Sequence, residues 1–322
     1  MPPWLQAVIL GIVQGLTEFI PVSSSAHLVL VPYLAGWEHP GVAFDIAMHL
    51  GTTAAVVVYF WRELMAMGRG LVGGRDEDSR IYRRLAILIV VASVPVGLVG
   101  VLLEEQVGEV FEQPLIVAGL LLVTALFLTA AERSRTLRVR RASKKSPRSG
   151  EEPAVWTGDW VGSASASQEP GGGLGTLPLG HDDDDPAGQT LDRITVKQAV
   201  VAGLFQAVAI LPGISRSGST ITGGMMSGLT RAAATRFSFL LSLPAMFGAF
   251  LLGLPDLSEP GNFSGVAIAA GVVASFVSGY AAVRFLVRLV ARDRLTGFAR
   301  YCVFLAIVTL IAFQFLGPPS AV

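Results

Sequence analysis

Six nearly unbroken apolar stretches recur along the chain, at 42–61, 85–103, 114–131, 237–254, 265–289 and 301–316. Most come close to the ~20 residues a helix needs to cross ~30 Å of hydrocarbon. They fall into two sets of three, and a different pattern precedes each set. There an apolar segment (5–19 or 196–210) runs into a proline, Pro21 or Pro212, then a serine-rich turn, then a second short apolar segment (26–34 or 219–229). A helix of about 15 residues reaches only ~22 Å, too short for a full crossing. The two helix–turn–helix units therefore read as re-entrant hairpins. Non-helical backbone at membrane depth needs protein or a wet cavity around it.

The two hairpins also match in sequence. Laid without gaps, QAVILGIVQGLTEFIPVSSSAHL (6–28) falls on QAVVAGLFQAVAILPGISRSGST (198–220). Gln6/Gln198, Gly11/Gly203, Gln14/Gln206, Ser23/Ser215 and Ser25/Ser217 coincide, and an internal repeat constrains the whole fold. Charge supplies the orientation. Six arginines between 62 and 84, the dense basic run 133–148, and Arg284, Arg288, Arg292, Arg294 and Arg300 mark cytoplasmic loops. Segments 104–113 and 255–262 carry acidic residues and no lysine or arginine, so they read as external. The first hairpin then exits outside while both ends of the second lie inside, which makes the halves inverted repeats whose tips meet near the midplane. The expected fold is an all-α polytopic membrane protein, an inverted-topology repeat in which each half is a re-entrant hairpin plus three transmembrane helices. The first repeat covers 1–132, with hairpin 5–34; the second covers 196–322, with hairpin 196–229.

Composition excludes soluble domains: 52% of the 322 residues are hydrophobic, 15% are charged and mean hydropathy is +0.59, against about a quarter charged in soluble proteins. Lysine plus arginine and aspartate plus glutamate balance at 24 each, so net charge names no partner, and none of nucleic-acid type is expected. Cys302 is the single cysteine, which excludes an intrachain disulfide and a cysteine metal cluster. The start, Met1-Pro2-Pro3-Trp4, lacks the basic region and cleavage site of a signal peptide, so the first apolar segment is expected to belong to the mature protein. Between the repeats, 133–195 reads as a cytoplasmic linker. Its Gly, Ser, Pro and Asp-rich stretch 149–190 is expected to be disordered, because it cannot bury enough apolar surface.

The candidate chemistry sits at the hairpin tips. Ser23 and Ser215 are N-cap candidates for the second helix of each hairpin, and such helix starts offer free N–H groups and partial positive charge to a phosphate. Gly213 and Gly218 allow close backbone approach, and Arg216 brings a two-pronged cation suited to phosphate. Glu18 lies in an otherwise apolar helix, one turn beyond Gln14 on the same face. An ionisable group at that depth costs on the order of 3 kcal/mol and is a functional candidate by default, as metal ligand or general base. His27, after Ser23, Ser24 and Ser25, is a candidate nucleophile or general acid, against a structural role satisfied by a backbone carbonyl. Asp45 and His49 share a helix face, either lining the cavity or as a structural pair. Arg231 and Arg236 fit cytoplasmic anchors, and His39 an external loop.

The run from Gln14 through Glu18, Pro21 and Ser23-Ser24-Ser25 to His27 resembles the Glu/Gln-x-x-x-Glu signature of the undecaprenyl-diphosphate phosphatase family, also called the bacitracin-resistance protein family. Pro212-Gly213-Ile214-Ser215-Arg216-Ser217-Gly218 resembles its second signature, Pro-Gly-x-Ser-Arg-Ser-Gly. The resemblance extends over most of the apolar chain. It implies hydrolysis of undecaprenyl diphosphate, a polyprenyl diphosphate lipid, with a divalent metal, Mg or Ca, at a site open to the outer face of the bacterial inner membrane. It implies Glu18 and Gln14 on the metal, Ser24 and His27 beside them, and Arg216 with Ser215 and Ser217 on the diphosphate; Ser23, Ser25, Gly213 and Gly218 shape that site. Gln14 takes the uncharged option at its position, which weakens a paired-carboxylate metal site. A transporter of lipid phosphate or another anion is the rival reading, since inverted repeats with broken helices also build transporters. A homodimer stays open, and the lipid bilayer is the one certain surrounding.

Overall fold

Proline, serine and threonine punctuate this chain into helices, because proline cannot continue one and a hydroxyl can cap the next. The computed structural model describes residues 1–38, 40–103, 110, 113–145, 188–254, 263–292 and 294–317. Most of 104–113, all of 255–262, which were expected to be external, His39 and most of the 149–190 linker lie outside the described residues. The helices are α1 (Pro3–Phe19), α2 (Ser24–Ala35), α3 (Val42–Tyr59), α4 (Trp61–Leu71), α5 (Glu77–Leu102), α6 (Pro114–Lys145), α7 (Val196–Val208), α8 (Arg216–Met226), α9 (Arg231–Leu252), α10 (Gly265–Arg292) and α11 (Thr296–Leu316). Among the described residues there is no strand, only one isolated bridge between Gln189 and Leu229.

Local chemistry accounts for the ends. Pro3 opens α1, where a missing N–H costs nothing, and α2 closes on Gly36 in the left-handed region (φ 65°), with Trp37 N–H donating to the Pro32 carbonyl. Asp76 caps α5 by accepting from Ser79 N (3.0 Å) and Ser79 Oγ (2.6 Å), bonds that hold its carboxyl below the usual range. Thr195 and Gln198 form a reciprocal capping box on α7. Thr230 caps α9.

Five helices are long and apolar enough to cross a membrane: Glu77–Leu102, Pro114–Lys144, Arg231–Leu252, Gly265–Val290 and Thr296–Leu316. A sixth span is available if α3 and α4, bent by 73° at Phe60, count as one. The chain is therefore a multi-pass, all-helical membrane protein. Its outer faces suit lipid: Val90, Val94, Leu98 and Val101 of α5 are more than half exposed, as expected where hydrocarbon rather than water is the solvent. The basic segment 62–84 is largely helical, since α4 fills 61–71 and α5 begins at Glu77. The basic run after 133 likewise continues α6 to Lys145.

Packing follows a crossed pattern. Helix α1 lies along α10, and α7 along α5; α10 also packs on α3, and α5 on α9. Each pairing joins an element of one half of the chain to the other half. Small residues permit the close approach. A Cβ on Gly11 would collide with the Gly271 carbonyl of α10, and one on Gly203 with the Ala92 carbonyl of α5. Phe19, Phe60, Phe237 and Phe239 fill the buried centre, with Phe19 and Phe60 each packed edge-on to Phe239.

A buried ion pair ties together three helices and the residue that caps a fourth. Arg231 donates from Nε and Nη2 to the two oxygens of Glu132 (3.0 and 2.9 Å) and from Nη1 to the Val290 carbonyl. Glu132 also accepts from Leu295 N–H at 2.9 Å. Arg231 is thus an interior clamp rather than the interfacial anchor its sequence position suggests, being only 3% exposed.

Candidate active site

The two hairpin tips are built alike. Helix α1 stops where Pro21 forces extended backbone onto Ile20 (ψ 132°). Ser23 then adopts φ 68°, ψ 97°, and among the described residues it alone has positive φ without being glycine. Its Oγ accepts from Ala26 N (3.3 Å), as Ser215 Oγ accepts from Gly218 N (3.1 Å), so both expected caps are present. Each cap also touches the serine two residues on: Ser23 to Ser25 at 3.1 Å and Ser215 to Ser217 at 3.2 Å.

The tips are knitted to each other. Gly213 N–H donates to Ser25 Oγ (3.4 Å), and Ser217 Oγ donates to the Ile20 carbonyl (3.5 Å). Thr124 of α6 fixes the second tip by donating to the Gly213 carbonyl and accepting from Ser215 N, both at 2.9 Å. Gly213, at φ 98°, has no room for a side chain, since a Cβ would stand 2.5 Å from the Val117 carbonyl. Gly218 is less confined, with its nearest neighbours on Ser215 and Pro21 at 3.1–3.4 Å.

One carboxylate gathers both hairpins. Glu18 is 6% exposed; its Oε2 accepts from Gln14 Nε2 (2.9 Å) and Ser24 Oγ (2.5 Å), and its Oε1 accepts from Arg216 Nη2 (2.8 Å). Ser24 and Arg216 are the first residues of α2 and α8 and fall on each other when the repeats are laid together. The two repeat-related helix starts therefore hold one carboxylate through its two different oxygens. Arg216 Nη1 is buried with no partner, and so is Gln14 Oε1. Buried polar atoms without partners are uncommon and mark places where a ligand or water belongs.

His27 is held elsewhere. Its Nδ1 lies 2.7 Å from the Ser23 carbonyl and its Nε2 lies 2.8 Å from Tyr301 Oη of α11, whose ring stacks parallel to it. A carbonyl only accepts, so Nδ1 carries the proton and Nε2 takes the tyrosine O–H. No hydrogen bond joins His27 to Glu18 or Ser24 among those described. His49 of α3, by contrast, brings Nε2 to 3.5 Å from Glu18 Oε2 while Nδ1 donates to the Asp45 carbonyl. Sequence reading left His49 between cavity and structural pair; its contact with Glu18 depends on α3 packing beside α1, which no local motif records. Gln206, the repeat partner of Gln14, is 1% exposed with neither amide atom bonded.

The family model described as bacitracin resistance protein BacA matches residues 7–168 and 173–308. This chain belongs to the BacA family. Curated relatives agree: the undecaprenyl-diphosphatase of Moorella thermoacetica is 36% identical over 310 residues, covering 96% of this chain and 97% of the relative. Those of Pelobacter propionicus (38%, covering 92% of each chain) and Methanosphaera stadtmanae (34%, covering 95% and 97%) match over a similar extent. Both family-like signatures, at Gln14–His27 and Pro212–Gly218, lie within the matched residues.

The donor set around Glu18 bears on metal binding. Among the described residues no three of His, Cys, Asp and Glu gather to hold an ion. Glu18, the unpartnered Gln14 Oε1 and Ser24 Oγ nevertheless offer only oxygen, the donor that hard divalent cations prefer. Such a set fits an ion that completes its shell with phosphate oxygens and water rather than with protein alone.

Proposed function

We propose that this protein hydrolyses undecaprenyl diphosphate to undecaprenyl phosphate and inorganic phosphate, recycling the lipid carrier of cell-wall synthesis in the bacterial inner membrane. The observation that carries this reading is the match to curated undecaprenyl-diphosphatases along more than nine-tenths of both chains. The Glu18–Arg216 cluster adds a site suited to that chemistry. The one cysteine, Cys302, is buried with its thiol on the Pro21 carbonyl (3.9 Å) and has no part in this reading.

The architecture we infer is an inverted repeat: α1, α2, α3, α5 and α6 correspond to α7, α8, α9, α10 and α11. Crossed packing supports this, because α1 on α10 mirrors α7 on α5, and α3 on α10 mirrors α9 on α5. Gly11 and Gly203 make matching backbone approaches to those helices. The short pairs α1–α2 and α7–α8 are then re-entrant hairpins entering from opposite sides. Residues 1–132 and 196–322 form the two repeats, and the site opens to the outer face.

In this site the polyprenyl tail stays in hydrocarbon while the diphosphate meets Arg216 and the capped starts of α2 and α8. Positioning and charge stabilisation supply most of the acceleration in phosphoryl transfer. Ser24 is the nucleophile that the geometry favours, since its hydroxyl already donates to Glu18. Its Oγ bonds to the terminal phosphorus as its proton passes to Glu18, and the bond to the bridging oxygen breaks to release undecaprenyl phosphate. Water then cleaves the serine phosphate to inorganic phosphate. Arg216 Nη1, Ser215 and Ser217 bind phosphate oxygens. His49 stands next to Glu18 to exchange its proton, and His27 holds the first tip through Ser23 and Tyr301. Glu18 and Gln14 would hold a divalent metal, Mg or Ca, which supplies positive charge against the diphosphate when bound.

The test is phosphate release from undecaprenyl or farnesyl diphosphate by protein purified in detergent, with and without chelator. Release that the chelator abolishes and added Mg or Ca restores is the expected result. Absence of release from folded protein overturns the phosphatase reading and turns the question to anion flux in vesicles.

A further inference from the structure

The second hairpin carries a polar cluster that the proposed chemistry leaves unused. Where the first hairpin has Gln14, Glu18 and His27, the second has Gln206, Ile210 and Ser219. Gln206 thus keeps the amide but has lost the carboxylate that its counterpart donates to. Both its amide atoms are buried and unbonded, as is Ser219 Oγ, and each side chain is 1% exposed.

Helix register brings these groups together. A Cβ on Gly223 of α8 would stand 3.1 Å from Ala202 Cα of α7. The two helices run antiparallel, so one turn further along α7 and one turn back along α8 set Gln206 opposite Ser219. Arg216 lies one turn before Ser219 on α8, and its Nη1 is likewise buried and unpartnered. On this register the Gln206 amide, the Ser219 hydroxyl and Arg216 Nη1 fall along one side of the hairpin, all buried without partners, and each can donate an N–H or O–H. Unmatched donors around a guanidinium suit an oxyanion.

We propose that Gln206 and Ser219, with Arg216 Nη1, form a second phosphate subsite that holds the phosphate remaining on the lipid. This rests on the phosphatase reading above. Arg216 spans both places, with Nη2 on Glu18 beside the attacked phosphate and Nη1 turned to the retained one. Gln206 and Ser219 are positioning residues that bind substrate and leaving lipid phosphate without entering the chemical step.

The experiment compares Gln206→Met and Ser219→Ala with the parent protein. It measures farnesyl diphosphate kinetics, inhibition by farnesyl monophosphate and by inorganic phosphate, and melting temperature in detergent. Loss of one hydrogen bond to a charged phosphate raises KM and the farnesyl monophosphate inhibition constant about tenfold, with kcat within about threefold as for a uniform binding contact. Inhibition by inorganic phosphate stays unchanged, and the melting temperature of Gln206→Met does not fall, because an unbonded amide gives way to an apolar chain of similar size. If Gln206→Met does not fold, Ser219→Ala decides by the same inhibition ratio. Unchanged farnesyl monophosphate inhibition, or weakened inhibition by inorganic phosphate instead, overturns the subsite. A parent protein that hydrolyses nothing refutes the phosphatase reading alone; direct calorimetric binding of farnesyl monophosphate to parent and variants then still judges the subsite.

Discussion

Glu18 is a single carboxylate with neighbours from both halves of the chain, and which of them act chemically is a question for individual residues. Ser24 donates to it directly while His27 is occupied by Ser23 and Tyr301. Ser24→Ala should therefore lose at least about a thousandfold in kcat, as removal of a nucleophile does, whereas His27→Ala should stay within about tenfold. Stopped assays at saturating farnesyl diphosphate check both, and equal losses would return the histidine to the chemistry. Ser23 offers a second test. Its backbone conformation costs on the order of 1–3 kcal/mol, while replacing a serine cap by glycine costs only a few tenths of a kcal/mol. Ser23→Gly should accordingly stabilise the protein by roughly 1 kcal/mol and lower kcat by loosening the tip, read by thermal melting beside the assay. Glu18, Arg216 and the serines were legible in the sequence because charged and hydroxyl groups stand out inside apolar helices. His49 was left between cavity lining and a structural pair, because its place beside Glu18 depends on how two helices pack.

At the scale of elements, close helix contacts and one buried ion pair hold the scaffold. A methyl group on Gly11 or Gly203 meets backbone rather than a movable side chain, so Gly11→Ala and Gly203→Ala should each cost about 1–3 kcal/mol through forced separation of helices. Similar losses in the two variants, measured by thermal unfolding in detergent, are expected from their matching positions. The Arg231–Glu132 clamp should behave differently from a surface pair. Removing one partner strands a buried charge and costs roughly 3–5 kcal/mol, whereas replacing both by apolar residues costs much less. Arg231→Met with Glu132→Met should thus melt above either single variant, and additive losses would contradict a paired burial. The apolar runs, Pro21, Pro212 and the serine caps located most helices, but α5 starts at Glu77, ahead of its apolar run, α6 continues past 131 to Lys145, and α4 fell where a loop was expected. The clamp was hidden because Glu132 falls just past an apolar run and Arg231 just before one, where charges ordinarily face the interface.

For the whole molecule, the repeat explains why one site needs both halves. Gln6–Leu28 and Gln198–Thr220 align without a gap, yet the first unit supplies Glu18 and Ser24 and the second supplies Arg216. The membrane character was visible from hydropathy, and the likeness of the two hairpins from their aligned residues. The crossed packing was not, since nothing local to α1 says that it lies on α10 rather than on its own half. That convergence is the central claim, and Arg216→Ala tests it most directly. Phosphate release from farnesyl diphosphate, measured on folded parent and variant at matched concentration with Mg present, should fall about 10³–10⁵-fold, the span seen when an arginine that stabilises phosphoryl transfer is removed. Turnover by Arg216→Ala within tenfold of the parent would contradict it and move the chemistry away from the place where the two hairpins meet.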